Sequence, residues 1–279
     1  MEKPSRPDGR TPASSQRRTD GDPAGDDARN ADDTPPTGYD TPPTGYDTPP
    51  TGYDTPLTGY GVRSTGYDTP SAGYGTVVFD LGRVIVGWEP YLAVADRMGE
   101  EEWRAFAEAI DFTEVNLAMD RGLSHAAALA QIRGSHPEHE HTLARYCRNF
   151  AAALTGPVAG TTAIVDELAA HGIRLLGLTN WSAETFHHAA VAAPVIDRLE
   201  DVLVSGREGL VKPDPAIFHL LIERYGLQPE ATVFVDDSRA NVAAAEAVGL
   251  RALHFTTAAQ LRADLRALGL LPGGNGGAQ

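Results

Sequence analysis

Five short apolar runs recur after residue 75, and four of them close on polar residues. Thr76-Val77-Val78-Phe79 closes on Asp80, and the run from Ile173 to Leu178 closes on Thr179-Asn180. Asp201 to Val204 closes on Ser205, Thr232 to Val235 closes on Asp236-Asp237, and Arg251 to Phe255 is the fifth. Runs of this length predict buried strands. Helical spacing lies between them. Ile164, Val165 and Leu168 share a face before Gly172; Phe218, Leu221, Ile222 and Tyr225 share another between the Asp214-Pro215 start and Gly226. Ser238 is placed to cap a third helix that ends at Gly249, and Leu261, Leu265 and Leu268 mark a last one. Strands alternating with helices predict an α/β fold, a Rossmann-like parallel sheet covered on both faces.

Residues 88–157 break the alternation. They carry helical stripes only, first Trp103, Phe106 and Ile110, then Leu143, Tyr146, Cys147, Phe150 and Leu154. The expectation is an inserted helical cap, with Cys147 packed on a core-facing stripe rather than acting as a nucleophile. In the HPEHEH stretch, Ser135 and Glu138 have capping-box spacing. That predicts a solvated helix start around His136, His139 and His141 rather than a metal site.

Before residue 76 the pattern vanishes. Residues 1–75 hold 12 of the 20 prolines, and Leu57 and Val62 are their only Leu, Val, Ile, Phe or Trp. From Thr34 the heptad TPPTGYD repeats three times and then decays toward Tyr74. Pro-Pro excludes helix, and so few aliphatic side chains cannot offset the entropy of ordering. A disordered N-terminal tail is expected, with no partner legible for its repeats. The globular body then runs 76–271, followed by a flexible C-terminus at 272–279.

The net charge of −15 divides without reversing sign: 12 acids against 7 bases in the tail, 26 against 16 in the body. An acidic body argues against nucleic-acid or anionic-membrane partners. No apolar run approaches the length of a membrane span, and no signal-peptide core is seen, so a cytoplasmic location is expected. A single cysteine excludes an internal disulfide and a multi-cysteine zinc site.

In a parallel sheet, ligands bind outside the carboxyl ends of the strands. The polar residues there are Asp80, Thr179, Asn180, Asp236 and Asp237, and Lys212 lies in the stretch Gly209 to Pro215. Carboxylates gathered on one edge repel one another. A hard cation with oxygen ligands relieves that repulsion, and Mg²⁺ suits carboxylates combined with a phosphate.

These blocks resemble the haloacid dehalogenase-like superfamily: Val77-Val78-Phe79-Asp80-Leu81-Gly82, Leu178-Thr179-Asn180, Val211-Lys212-Pro213-Asp214-Pro215, and Phe234-Val235-Asp236-Asp237-Ser238 with Asn241. The resemblance covers residues 76 to about 271 and none of the tail. It implies that Asp80 attacks phosphorus and forms an aspartyl-phosphate. It assigns a metal to Asp80, the Gly82 carbonyl and Asp237, with Asp236 as an alternative ligand or a supporting group. Thr179 and Asn180 would hold phosphoryl oxygens, and Lys212 would balance charge as a catalytic residue.

One position departs from the pattern. Phosphatases of the superfamily usually carry a second aspartate two residues after the nucleophile, where this chain has Gly82. Sequences resembling the glucose-1-phosphate phosphatase branch also begin Phe-Asp-Leu-Gly. The expected function is a Mg²⁺-dependent phosphatase of small phosphorylated metabolites, sugar phosphates among them. The alternatives are a 2-haloacid dehalogenase-type hydrolase and a non-catalytic phosphate-binding scaffold. Trp88 and Trp181 are candidates for the wall between cap and core, and Arg83 for a substrate contact.

Overall fold

The computed structural model describes residues 73–273, so the expectations for the tail and for the last six residues lie outside the described residues. The strands are β1 (Thr76–Phe79), β2 (Val86–Trp88), β3 (Leu154–Pro157), β4 (Arg174–Thr179), β5 (Asp201–Val204), β6 (Thr232–Asp236) and β7 (Arg251–His254). The helices are α1 (Glu100–Ala109), α2 (Phe112–Asp120), α3 (His125–Ser135), α4 (Glu140–Arg148), α5 (Thr161–Ala170), α6 (Ala189–Ala192), α7 (Ser205–Glu208), α8 (Pro215–Tyr225), α9 (Arg239–Ala247) and α10 (Ala258–Ala267).

Five strands form one parallel sheet in the order β5-β4-β1-β6-β7. Their side chains alternate between two cores, as a sheet buried on both faces requires. Val77, Phe79, Leu175, Val233 and Val235 join one cluster, which includes helices α5 and α10 and the inserted segment. Val78, Leu176, Leu178 and Phe234 join the other with Ile217, Phe218 and Leu221 of α8. The chain leaves β1 toward β4 and β5, then returns to the far side of β1 with β6 and β7. That reversal makes the carboxyl end of β1 the place where ligand-binding groups converge.

The helix signals act as read at α8. The Asp214 carboxylate accepts from the Ala216 N–H at 2.9 Å, Pro215 opens the helix, and Gly226 ends it at φ 59°. Ser238 occupies the N-cap position of α9, but its hydroxyl makes no capping bond. Its N–H instead donates to Asp236 Oδ1 at 2.8 Å.

Helices α1 to α4 form the inserted cap. The stretch read as helical stripes alone also contains strand, and Leu154 starts β3 rather than extending a helical face. Strands β2 and β3 pair antiparallel, Val86 opposite Pro157 and Gly87 opposite Gly156. The two passages of the chain between sheet and cap therefore clasp each other. The reading of Ser135 as a helix start is also corrected. Ser135 is the last residue of α3, and its hydroxyl donates back to the Gln131 carbonyl. Pro137 begins a separate short turn and α4 starts at Glu140, whose carboxylate pairs with Arg133. His139 packs edge-on against Phe106, and His141 is exposed.

Candidate active site

The register of the sheet sets the site. Phe79 of β1 stands opposite Val235 of β6, so Asp80 and Asp236 leave neighbouring strands side by side. The Asp80 N–H continues the ladder by donating to the Val235 carbonyl at 2.8 Å. Asp80, Asp236 and Asp237 each offer a carboxylate oxygen within 4.8 Å of the others.

Lys212 enters between them. Its ammonium lies 2.8 Å from Asp80 Oδ1 and 2.7 Å from Asp236 Oδ2, and donates to the Leu178 carbonyl at 3.0 Å. All three donors of a buried ammonium are thereby used. Asn180 fixes the backbone that delivers it: its side chain accepts from the Lys212 N–H at 2.8 Å and donates to the Lys212 carbonyl at 2.9 Å. The Asn180 amide is thus committed to positioning Lys212. Asp236 is committed too. Oδ1 accepts from Ser238 N–H and Asn241, and Oδ2 accepts from Lys212 and Asn241. Asp80 and Asp237 keep oxygens for a ligand, and an all-oxygen donor set suits a hard divalent cation.

The electrostatics follow from burial. Desolvation lifts the Asp80 pKa from 3.8 to about 7, with Lys212 pulling it down and Asp236 pushing it up. Burial disfavours the Lys212 ammonium, but Asp80 and Asp236 more than offset this and its pKa is raised. Asp237 is raised by burial and by Asp236, against the pull of Arg83 and Lys212.

A cavity of about 170 Å³ opens over these groups, lined by Asp80, Gly82, Lys212, Asp237 and Asn241, with Arg83, Trp88, Asp120 and Asn180. A second, smaller space beside it has aromatic walls, Trp88, Phe150 and Trp181, as the two tryptophans' positions in the sequence suggested. Arg83 stacks its guanidinium 5.2 Å from the centre of the Trp88 ring. Thr179 is buried at the end of β4 and does not line either cavity, where Asn180 does.

Asp120 was not singled out in the sequence. It ends α2 of the cap and reaches both cavities. Burial lifts its pKa from 3.8 to about 7; the Ser182 backbone N–H lowers it and Asp80 raises it. Cys147, by contrast, packs beside the core and lines none of these spaces. Burial pushes its thiol up to about 11, which suits packing and not nucleophilic attack.

Residues 74–249 match the family of haloacid dehalogenase-like hydrolases. The sesquiterpene phosphatase astK of Aspergillus oryzae is 32% identical over 40% of this chain, a match that takes in 57% of that relative's length. A HAD-like family hydrolase of Porphyromonas gingivalis shares the fold with a TM-score of 0.57 at 23% identity, over 71% of this chain and 98% of that one. A HAD family enzyme of Bacteroides thetaiotaomicron, solved with magnesium and inorganic phosphate, gives a TM-score of 0.53 at 20% identity, over 66% and 96%. With the family match spanning most of the body, and a parallel sheet that gathers Asp80, Lys212, Asp236 and Asp237 at one edge beneath a helical cap, the chain belongs to the haloacid dehalogenase-like hydrolases.

Proposed function

We propose that the protein is a Mg²⁺-dependent phosphatase of small phosphorylated metabolites working through an aspartyl-phosphate. The observation that carries the reading is the buried Lys212 bridge between Asp80 and Asp236, with Asp237 alongside, under an open cavity. The phosphatase activity named for the Aspergillus relative, and the magnesium and phosphate named for the Bacteroides structure, support it.

Asp80 is the nucleophile. Its Oδ not held by Lys212 attacks phosphorus, the ester oxygen departs, and water then cleaves the acyl phosphate. Asp80, Asp237 and the Gly82 carbonyl would hold the cation, and Asp236 serves them by anchoring Lys212. When bound, the cation neutralises the phosphoryl oxygens so that an anionic nucleophile can approach. Lys212 is the fixed positive charge on the strand-end side, and the Asn180 backbone N–H takes a phosphoryl oxygen, while buried Thr179 supports the strand end behind it. Positioned charges of this kind are the main source of rate in phosphoryl transfer. The organic part of the substrate lies against Trp88 and Trp181, a platform that fits a sugar ring. The Phe79-Asp80-Leu81-Gly82 run it shares with the glucose-1-phosphate phosphatase branch agrees with a sugar phosphate.

The test is a panel of phosphomonoesters assayed with Mg²⁺ and with EDTA, for the native chain and Asp80→Asn. Phosphate release that depends on both is expected. Release that survives EDTA and Asp80→Asn overturns the reading, and halide release from 2-haloacids would point to the dehalogenase branch instead.

A further inference from the structure

Gly82 leaves the departing oxygen without a proton donor at the position where one is expected. The backbone does not demand glycine there: its φ is not positive, and a Cβ built on it meets no heavy atom within 4 Å. The space in front of Gly82 is open, and Asp120 reaches it from the cap. Both residues line the same two cavities. A third space outside them, lined by Arg83, Trp88, Phe112 and Asn116, also has Asp120 on its wall. The carboxylates lining these three spaces are Asp80, Asp237 and Asp120. Asp80 and Asp237 have roles in the reading above, and Asp120 has none.

Asp120 is held in a way that fits a working group. Its backbone carbonyl accepts from the buried Ser205 hydroxyl at 2.6 Å, and that hydroxyl accepts from the Trp181 N–H at 2.9 Å. The end of a cap helix is thereby tied to the loop after β4. The approach is close: a Cβ at Gly122, just past the end of that helix, would sit 3.2 Å from the Gly206 carbonyl oxygen. On the side chain, Asn116 donates to Oδ2 at 2.9 Å, and Asn116 is itself oriented by the Tyr146 hydroxyl at 3.1 Å. The charged groups sharing its cavity are Asp80, Asp237, Lys212 and Arg83.

We infer that Asp120 is the general acid and base of the reaction, supplied by the cap in place of the side chain that Gly82 lacks. The inference rests on the phosphatase reading. In the first half, an Asp80 oxygen bonds phosphorus, the ester P–O bond breaks, and the Asp120 proton goes to the leaving oxygen, giving the alcohol. In the second, the Asp120 carboxylate takes a proton from water as that water bonds phosphorus. The Asp80–phosphorus bond breaks, leaving inorganic phosphate and a protonated Asp120. The raised pKa supports the geometry, because an acid near neutrality is both available as donor and competent as base.

The experiment compares the native chain with Asp120→Asn in Mg²⁺, using p-nitrophenyl phosphate and the best alkyl phosphate from the panel. General acid help is worth about 10²–10⁴-fold and matters most for a poor leaving group. Asp120→Asn is expected to lose about that much on the alkyl ester while still releasing a burst of nitrophenol. Phosphoenzyme should then accumulate, read by intact mass, because the water has lost its base. Adding Gly82→Asp to Asp120→Asn should recover at least about tenfold on the alkyl ester. Equal losses on both esters with no trapped phosphoenzyme overturn the role of Asp120 and leave the phosphatase reading standing. A native chain inert toward every phosphomonoester overturns both. Should Asp120→Asn not fold, the native chain alone decides: rates nearly independent of leaving-group pKa are expected, and a steep dependence overturns the inference.

Discussion

Asp236 on the sheet side of the site and Asp120 on the cap side are both carboxylates, held in opposite ways. Asp236 is fully buried, and each of its oxygens already accepts two hydrogen bonds. Asp120 is fixed through its backbone carbonyl, and its carboxyl receives one side-chain donor. A saturated carboxylate can only hold other groups in place, whereas one held by its backbone keeps its acid free to exchange a proton. The same residue type does scaffolding on one side of the cavity and chemistry on the other.

Replacing the nucleophile should give the largest effect. Asp80→Asn is expected to lower kcat by at least about 10⁴-fold, with the folded state retained, as steady-state assays and circular dichroism would show. Comparable activity in that variant would mean the sheet side of the site is not where chemistry starts.

Breaking the scaffold should show in stability. Lys212→Met strands Asp80 and Asp236 as buried carboxylates without their cation, and loss of one partner of such a pair costs about 3–5 kcal/mol. A denaturant midpoint that does not move would show that the bridge is not structural.

A smaller loss is expected from Ser205→Ala, which removes the tie to the Asp120 carbonyl and the acceptor for Trp181 N–H. About 1–3 kcal/mol of stability should go with it. The alkyl-phosphate rate should fall while Mg²⁺ affinity stays, since the strand-end groups are untouched.

The subtlest contrast is in pH. The Asp120 pKa is about 7 in the folded chain against 3.8 for an ordinary Asp, so folding favours its protonated form. Its cost to stability is absent below pH 3.8, grows as pH rises, and is complete above about 7. Metal-free native protein should therefore lose stability relative to Asp120→Asn across that window. Parallel curves from chemical denaturation would mean the carboxyl is not desolvated.

The strands of the sheet were legible because each buries both faces and so is written as a continuous apolar run with a polar end. Asp80, Asp236 and Asp237 were legible for the same reason, since sheet register puts strand ends together. Asp120 was not. It is a lone acid at the end of a helical stripe, and its importance arises from where Ser205 docks that helix, a contact 85 residues away in the chain. Strands β2 and β3 were hidden because neither is a continuous apolar run: each carries a glycine, β3 ends on proline, and both are only partly buried. Ser135 misled because a serine three residues before a glutamate fits a helix start, while here the preceding α3 runs through it and Pro137 opens a new turn.

The clasp between β2 and β3 bears on how the chain folds. The first pairing of the central sheet, β1 with β4, spans the entire cap and is a slow, long-range contact. Once Val86 meets Pro157 the cap is short-circuited, and the loop left to close is roughly fourfold shorter, a saving of about 1 kcal/mol in closure entropy. The cap also begins and ends at one point on the sheet. It can therefore be lengthened, shortened or exchanged between Val86 and Pro157 without altering the order in which the five parallel strands assemble.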